Sequence, residues 1–383
     1  MKFKIMRLNT ILLSSILAIF SSSDKQSASQ IENNKSITIG DTVSETADSI
    51  LVIFQDRNNN YWFGSNGHGV YRYVPSASVK TGSKTFTHFS TEDGLSGNEV
   101  WEIKEDKWGN IFFNSWQGIS KFDGQRFSTL SVTESSFSDN KWKSSPDDLW
   151  FAGNQETNGP YRYDGKTLYH LAFPKHYLAD EFYAGLPNPP YNPYQVYTIY
   201  KDRKGNIWFG TSTFGACRYD PSVSGEKSLS WLYEDHLTHI GRDGSFGIRS
   251  ILEDKEGEFW FCNTTYRYNI YPGNSSDSYR EGNRLINYKR EKGIEVSKDR
   301  HGVDIIYYMS IVEDNTGDLW MVTYSGGVWR YDGKNITHYA VKDGSKDITL
   351  FSIYKDNHGD LWLGTHVAGA YKFNGKTFEK FGP

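Results

Sequence analysis

Residues 356–365 read DNHGDLWLGT, and this phrase decides the fold because the chain repeats it. DRNNNYWFGS begins at Asp56, DKWGNIFFNS at Asp106, DRKGNIWFGT at Asp202, DKEGEFWFCN at Asp254 and DNTGDLWMVT at Asp314. Each copy has an Asp six residues before an aromatic anchor: Trp62, Phe112, Trp208, Trp260, Trp320 and Trp362. A seventh copy, PDDLWFAG from Pro146, keeps its anchor as Trp150 but has lost the Asp and the Gly. The anchors lie 50, 38, 58, 52, 60 and 42 residues apart. Such periods suit a four-stranded propeller blade with loops of varying length.

Each copy parses alike. An apolar strand comes first, as in VWEIKED, VYTIYKD, IRSILED, MSIVEDN and LFSIYKD. The turn Asp-x-x-Gly follows. Its Gly supplies a positive φ, and Asn59 fills that place in the first copy because Asn tolerates it. The Asp accepts hydrogen bonds from the turn's own amides. A second strand carries the anchor, and a third ends in Arg or Lys and an aromatic. A further hairpin signal stands at Asp123-Gly124, Asp164-Gly165, Asp332-Gly333 and Asn374-Gly375, before a fourth strand such as ITHYA or FEKF. One such sheet cannot bury both faces, so neighbouring sheets must stack with the anchors between them. The chain therefore reads as all-β, a seven-bladed propeller of four-stranded antiparallel blades over residues 36–383. First, second and third strands are expected seven times. The third blade is expected to be the least regular. A surplus fourth-strand pattern at Ser36–Thr42 leaves either Ile37–Ile39 or Phe378–Phe381 to complete the closing blade.

Composition narrows the function. The 42 basic and 46 acidic residues nearly balance, which gives no footprint for nucleic acid and no polybasic stretch for direct membrane contact. Lys2, Lys4 and Arg7, the apolar run Ile11–Phe20 and small Ser21–Ser23 follow the order of a secretory signal. Residues 1–23 read as that signal and 24–35 as a flexible leader, so the protein is expected in the periplasm or outside the cell. A lipoprotein anchor is not expected, because Ser23 stands where a Cys would be needed. Cys217 and Cys262 read as two small buried residues in neighbouring blades, a disulfide being the alternative.

The pattern VxxIxED-xx-G-x-LW-x-GT-xx-G-xxRYDG resembles the two-component regulator propeller repeat over residues 36–383. The Asp-x-x-Gly turn, the Trp and the pairs Gly210-Thr211 and Gly364-Thr365 carry the likeness. The resemblance implies the propeller fold and, beyond it, a periplasmic sensor module that detects glycan fragments. Such modules often belong to hybrid histidine kinases and carry two propellers. This sequence has one ring of blades, with no kinase, DNA-binding segment or membrane helix after it.

The repeat register gathers candidate binding residues on one face. Loops between second and third strands, with the loops entering each inner strand, surround the central channel. They bring His68, Trp101, Trp116, Asn154, Phe214, Arg249, Tyr308, Tyr324 and His366 to that face. Aromatic platforms interleaved with amides, imidazoles and a guanidinium suit sugars, whose CH faces stack and whose hydroxyls pair with polar groups. The expected function is therefore binding of a carbohydrate-like ligand without catalysis. A membrane sensor or an outer-membrane protein is the second kind of partner this reading allows. A polysaccharide lyase is the alternative, with base, acid and carboxylate-neutralising cation drawn from His68, His301, His366, Tyr324 and Arg249. A protein-docking scaffold is a third reading, which a flat polar face would favour. Neither cofactor nor metal is expected: the Asp-x-x-Gly turns lack the ligand alternation of a calcium loop, and His236 and His239 stand alone. Insertions at 174–193, 234–246 and 293–305 fall mainly on the same face.

Overall fold

The turn Asp explains why the repeat forms what it forms. The computed structural model describes residues 40–75, 84–135, 141–232, 234, 237, 247–271, 279–280, 282–294 and 307–382. In the fourth copy, one oxygen of Asp202 accepts the amides of Lys204 (3.0 Å) and Asn206 (2.8 Å). The other accepts the Asn206 side-chain amide (2.8 Å) and the Trp208 indole N–H (2.9 Å). The same indole-to-Asp bond recurs at Trp62, Trp260, Trp320 and Trp362, at 2.7–2.9 Å. The six-residue spacing thus ties the turn to the anchor. Phe112 has no N–H to give, and Asp106 keeps the Asn110 Nδ2 bond, at 2.7 Å, that Asn206 makes beside the indole in blade 4. Gly205, Gly317 and Gly359 close their turns at φ 86–88°, and Asn59 does so at 62°.

Seven blade sheets follow, with two short two-stranded sheets besides among the described residues. Blade 1 comprises Ile50–Gln55, Tyr61–Ser65, Val70–Tyr73 and Phe86–Phe89, and blade 2 comprises Val100–Glu105, Ile111–Ser115, Gly118–Phe122 and Phe127–Thr129. Blades 4, 6 and 7 open on Val196–Lys201, Tyr308–Glu313 and Leu350–Lys355, and blade 5 on the shorter Ile251–Glu253. Each of these six runs antiparallel from an inner to an outer strand.

The anchors pack between blades. Trp62 meets Phe113 of blade 2 (5.3 Å), Phe112 meets Tyr163 of blade 3 (5.1 Å), and Trp150 meets Phe209 of blade 4 (5.4 Å). Trp208 meets Phe259 of blade 5 (4.8 Å), Trp260 meets Tyr331 of blade 6 (6.0 Å), and Trp320 meets Phe373 of blade 7 (5.0 Å). Trp362 then meets Tyr61 of blade 1 (4.8 Å), and the ring is closed. A polar rivet supports this packing. The amide just after the turn Asp donates to the Glu or Gln before the next blade's Asp: Arg57 to Glu105, Arg203 to Glu253, Lys255 to Glu313 and Asn357 to Gln55.

Closure exchanges no strand. Phe378–Lys380 is the outer strand of blade 7, beside Ala370–Phe373. The surplus segment adds Asp41–Val43 as a fifth strand outside blade 1, antiparallel to Phe86–Phe89. Ile37–Ile39 lie outside the described residues, as do the signal and leader.

Blade 3 departs from the expectation of seven inner strands. Its sheet contains Leu149–Phe151, Tyr161–Tyr163, Leu168–Leu171 and an outer parallel strand, Val132–Ser135, with no strand inside Leu149–Phe151 among the described residues. The unpaired inner edge is capped by blade 2 side chains. Glu102 accepts the Ala152 amide (3.0 Å), Asn114 Nδ2 donates to the Ala152 carbonyl (2.8 Å), and Lys104 bonds the Trp150 carbonyl. A buried strand edge needs such partners. Cys217 and Cys262 are both free and buried.

Candidate functional site

A bulge at the start of the inner strands builds the channel mouth. In blades 1, 2, 4, 6 and 7 the pairing skips the strand's second residue. The skipped residues are Leu51, Trp101, Tyr197, Met309 and Phe351. Arg249 of blade 5 holds the same place, since all six stand eleven residues before their anchors. A bulge re-aims its side chain, and all six line one hollow of about 380 Å³. Blade 3, without an inner strand, supplies Ala152, Gly153 and Gln155. A second ring comes from the position four residues after the anchor: Asn66, Trp116, Tyr324 and His366.

An adjoining hollow of about 660 Å³ shares Arg249, Met309, Phe351 and His366 with the first, and adds Asn263, Tyr307, Tyr308 and Tyr324. Both volumes are of the size that takes small ligands. Trp101 and Trp116 meet at 4.3 Å on one side. On the other, His366 lies edge-on to Tyr324 and Phe351, each at 5.1 Å. The Tyr307 and Tyr324 rings are about half exposed and face solvent as open platforms.

Three buried polar atoms at this mouth have no hydrogen-bond partner among the described residues: Arg249 Nε, Tyr308 Oη and His366 Nε2. Native interiors rarely leave such atoms unmatched. Burial pushes the Tyr308 phenol well above its ordinary pKa and lowers the His366 imidazole below its own. Tyr308 is therefore a neutral hydroxyl and His366 a neutral ring at neutral pH. The Arg249 guanidinium carbon lies over the Tyr197 ring at 4.2 Å, while the Arg249 main-chain N–H donates to Cys262 Sγ at 3.0 Å.

Six of the nine residues expected from sequence line these hollows: Trp101, Trp116, Arg249, Tyr308, Tyr324 and His366. The other three do not. His68 is exposed at a loop tip, where its carbonyl accepts from His88 Nε2 at 2.6 Å; it sits two residues beyond the position that faces the channel. Asn154 braces its own turn, accepting from Glu156 N and Thr157 Oγ1, with Nδ2 toward the Trp116 carbonyl at 3.5 Å. Phe214 is fully buried under the 174–193 insertion, against His176 (4.5 Å) and Tyr194 (4.7 Å), because the short helix Ala179–Gly185 and its flanks cover blade 4's loop. Sequence reasoning passed over Leu51, Tyr197, Met309, Glu99 and Gln195. Counting eleven residues back from each anchor finds the first three. His236, His239 and His301 lie outside the described residues, and the described residues hold no cluster suited to a metal ion.

Residues 44–67, 190–213 and 344–366 match the family model of the two component regulator propeller. The chain carries two-component regulator propeller repeats. Among solved structures, the chain is similar to the extracellular domain of the putative one component system BT4673 from B. thetaiotaomicron. The identity is 20% and the TM-score 0.54, over 89% of this chain and 40% of that one. A second structure of that domain, described as part of a putative hybrid two component system, aligns at 19% identity and TM-score 0.54 over 86% and 39%. The propeller thus spans about two fifths of that extracellular domain. Virginiamycin B lyase from Staphylococcus aureus shares the fold at 13% identity and TM-score 0.56, over 87% of this chain and 97% of that one. No curated protein matches the sequence.

Proposed function

We propose that this two-component regulator propeller is a sensor-like binding domain that takes a carbohydrate at the channel mouth. The observation that carries the proposal is the convergence of three unpartnered buried polar atoms, on Arg249, Tyr308 and His366, with the rings of Trp101, Trp116, Tyr324 and Phe351. Sugars present both complements, apolar faces for the rings and hydroxyls for the polar atoms. The hollow itself speaks against a flat docking face. A glycan array followed by calorimetric titration of the strongest hit tests the reading. Trp116→Ala and Tyr324→Ala should each weaken binding about 5- to 150-fold, the equivalent of 1–3 kcal/mol, with little change in melting temperature. Unchanged affinity in both variants would remove the proposal.

One arrangement favours a second reading. The neutral His366, with Nε2 free, stands beside Tyr324 in a hollow that also holds Arg249. This is a base, an acid and a cation for β-elimination from a uronic acid. Absorbance at 235 nm, rising with the parent protein and not with His366→Ala, would put the lyase in place of the binder.

Export is part of the proposal. It is supported by the signal-like order of residues 1–23 and by the likeness to an extracellular domain. No helix among the described residues is long and apolar enough to cross a membrane. N-terminal sequencing of the protein from its native host should begin near Ser22 or Ser23, whereas an intact Met1 end would contradict export.

A further inference from the structure

We propose that Arg249 is the receptor for one anionic group, a carboxylate or sulfate, on the ligand held at the channel mouth; the sugar character of that ligand rests on the reading above. Five other arginines among the described residues already have an acid. Arg57 pairs with Glu105, Arg162 with Asp148, Arg267 with Glu258, Arg290 with Glu234 and Arg330 with Asp318. Arg72 and Arg218 lack such a pair but lie over their own blades' anchors, Trp62 and Trp208, and Arg126, Arg203, Arg280 and Arg284, also without an acid among the described residues, do not line the mouth. Arg249 instead lines both hollows and has no ion pair among the described residues. A partly buried cation without a counter-charge is costly to keep, and an arriving anion repays that cost with charge-assisted hydrogen bonds.

The geometry prepares the guanidinium for this task. Its Cζ lies over the Tyr197 ring at 4.2 Å, a cation–π contact that holds the guanidinium in place before a ligand arrives. The bulge register explains its position: five blades place Leu, Trp, Tyr, Met and Phe there, and blade 5 alone places a charge. The unpartnered Tyr308 hydroxyl lines the same hollow, ready to give a further hydrogen bond. Among the described residues, the other charged side chain lining the mouth is Glu99, at the entrance to blade 2, three blades round the ring. One cation and one anion on distant blades give the mouth a polarity. An acidic sugar therefore enters in a single orientation, with its charge toward blade 5 and its uncharged end toward Trp101 and Trp116.

Two titrations of the whole chain decide the matter. The first uses inorganic sulfate and follows the Arg249 Nε–H resonance. It should move at millimolar sulfate, with no corresponding change in Arg249→Gln. A resonance indifferent to sulfate overturns the anion receptor, whatever sugars bind. The second compares a uronic-acid-terminated disaccharide with its carboxyl-reduced twin. The parent should prefer the acid at least tenfold, less so at high salt, and Arg249→Gln should bind both twins as weakly as the parent binds the reduced one. Arg249→Lys should keep part of the preference, which separates lost charge from lost fold. Equal affinity of the parent for the twins overturns the receptor and leaves sugar binding intact. Sulfate binding with neither twin bound leaves the receptor standing and removes the sugar.

Discussion

Replacing Trp320 by alanine is expected to cost the fold about 3–5 kcal/mol, read from guanidinium unfolding. The side chain is almost wholly buried and packs against Tyr339 at 5.1 Å and, across the blade boundary, Phe373 at 5.0 Å. The Arg330 guanidinium lies over its ring at 5.4 Å. Its indole N–H also donates to Asp314 at 2.8 Å. Trp320→Phe keeps most of the packing and should cost about 1.5–3 kcal/mol, the scale of one hydrogen bond to a charged group. In blade 2, where Phe112 gives no N–H, Asn110 still donates to Asp106; residue 318 is Asp and cannot donate to Asp314 in that way. Asp314→Ala should cost about 2–3 kcal/mol, because it strands the indole N–H and the Thr316 and Asp318 amides together. Burial alone would raise the Asp314 pKa, but these hydrogen bonds outweigh it and hold the group below the ordinary value. Its contribution is therefore complete above the unfolded carboxylate pKa near 4 and is lost as pH falls through the folded value. A Trp320→Ala protein as stable as the parent would mean that the inter-blade anchors do not hold the ring.

His176 should make the propeller lose stability on mild acidification. Its ring is fully buried against Phe214 (4.5 Å), Tyr177 (4.5 Å) and Trp231 (4.7 Å). Nδ1 accepts the Leu178 amide at 3.2 Å, so the ring is held neutral. Burial pushes its pKa down to about 3. Between an unfolded value near 6.5 and that folded value, the unfolded chain binds a proton that the native state refuses. Stability is thus complete above about pH 6.5 and falls by up to about 1.4 kcal/mol per unit below it. His176→Phe should remove this slope between pH 6.5 and 5. Parallel stability curves for parent and variant across that window would show that His176 is not buried as a neutral ring.

The blades were legible because each local signal agrees with the global fold. Asp-x-x-Gly marks the hairpin, and the anchor marks the buried face. Less was legible where one signal hides two outcomes. The six-residue spacing from Asp to Trp is plain in the sequence, yet the bond from indole to carboxylate exists only once the turn has folded back. Trp101, Arg249 and Phe351 could be picked out as aromatic or charged. Leu51, Tyr197 and Met309 occupy the same register position and were passed over, because plain alternation along a strand does not show a bulge. Phe214 looked like a ligand platform until the insertion before it was seen to cover blade 4. Blade 3's lost inner strand was foreshadowed by its missing Asp and Gly, but its replacement by Glu102, Asn114 and Lys104 required the neighbouring blade in place.

The most direct test is the structure of the propeller with the strongest glycan-array hit bound. The ligand should lie over the channel mouth, with a sugar face within about 4 Å of Trp101 or Trp116 and an oxygen within hydrogen-bonding distance, about 3 Å, of Arg249. A glycan seated on the opposite face or between outer strands, or an array without a hit, would contradict the account.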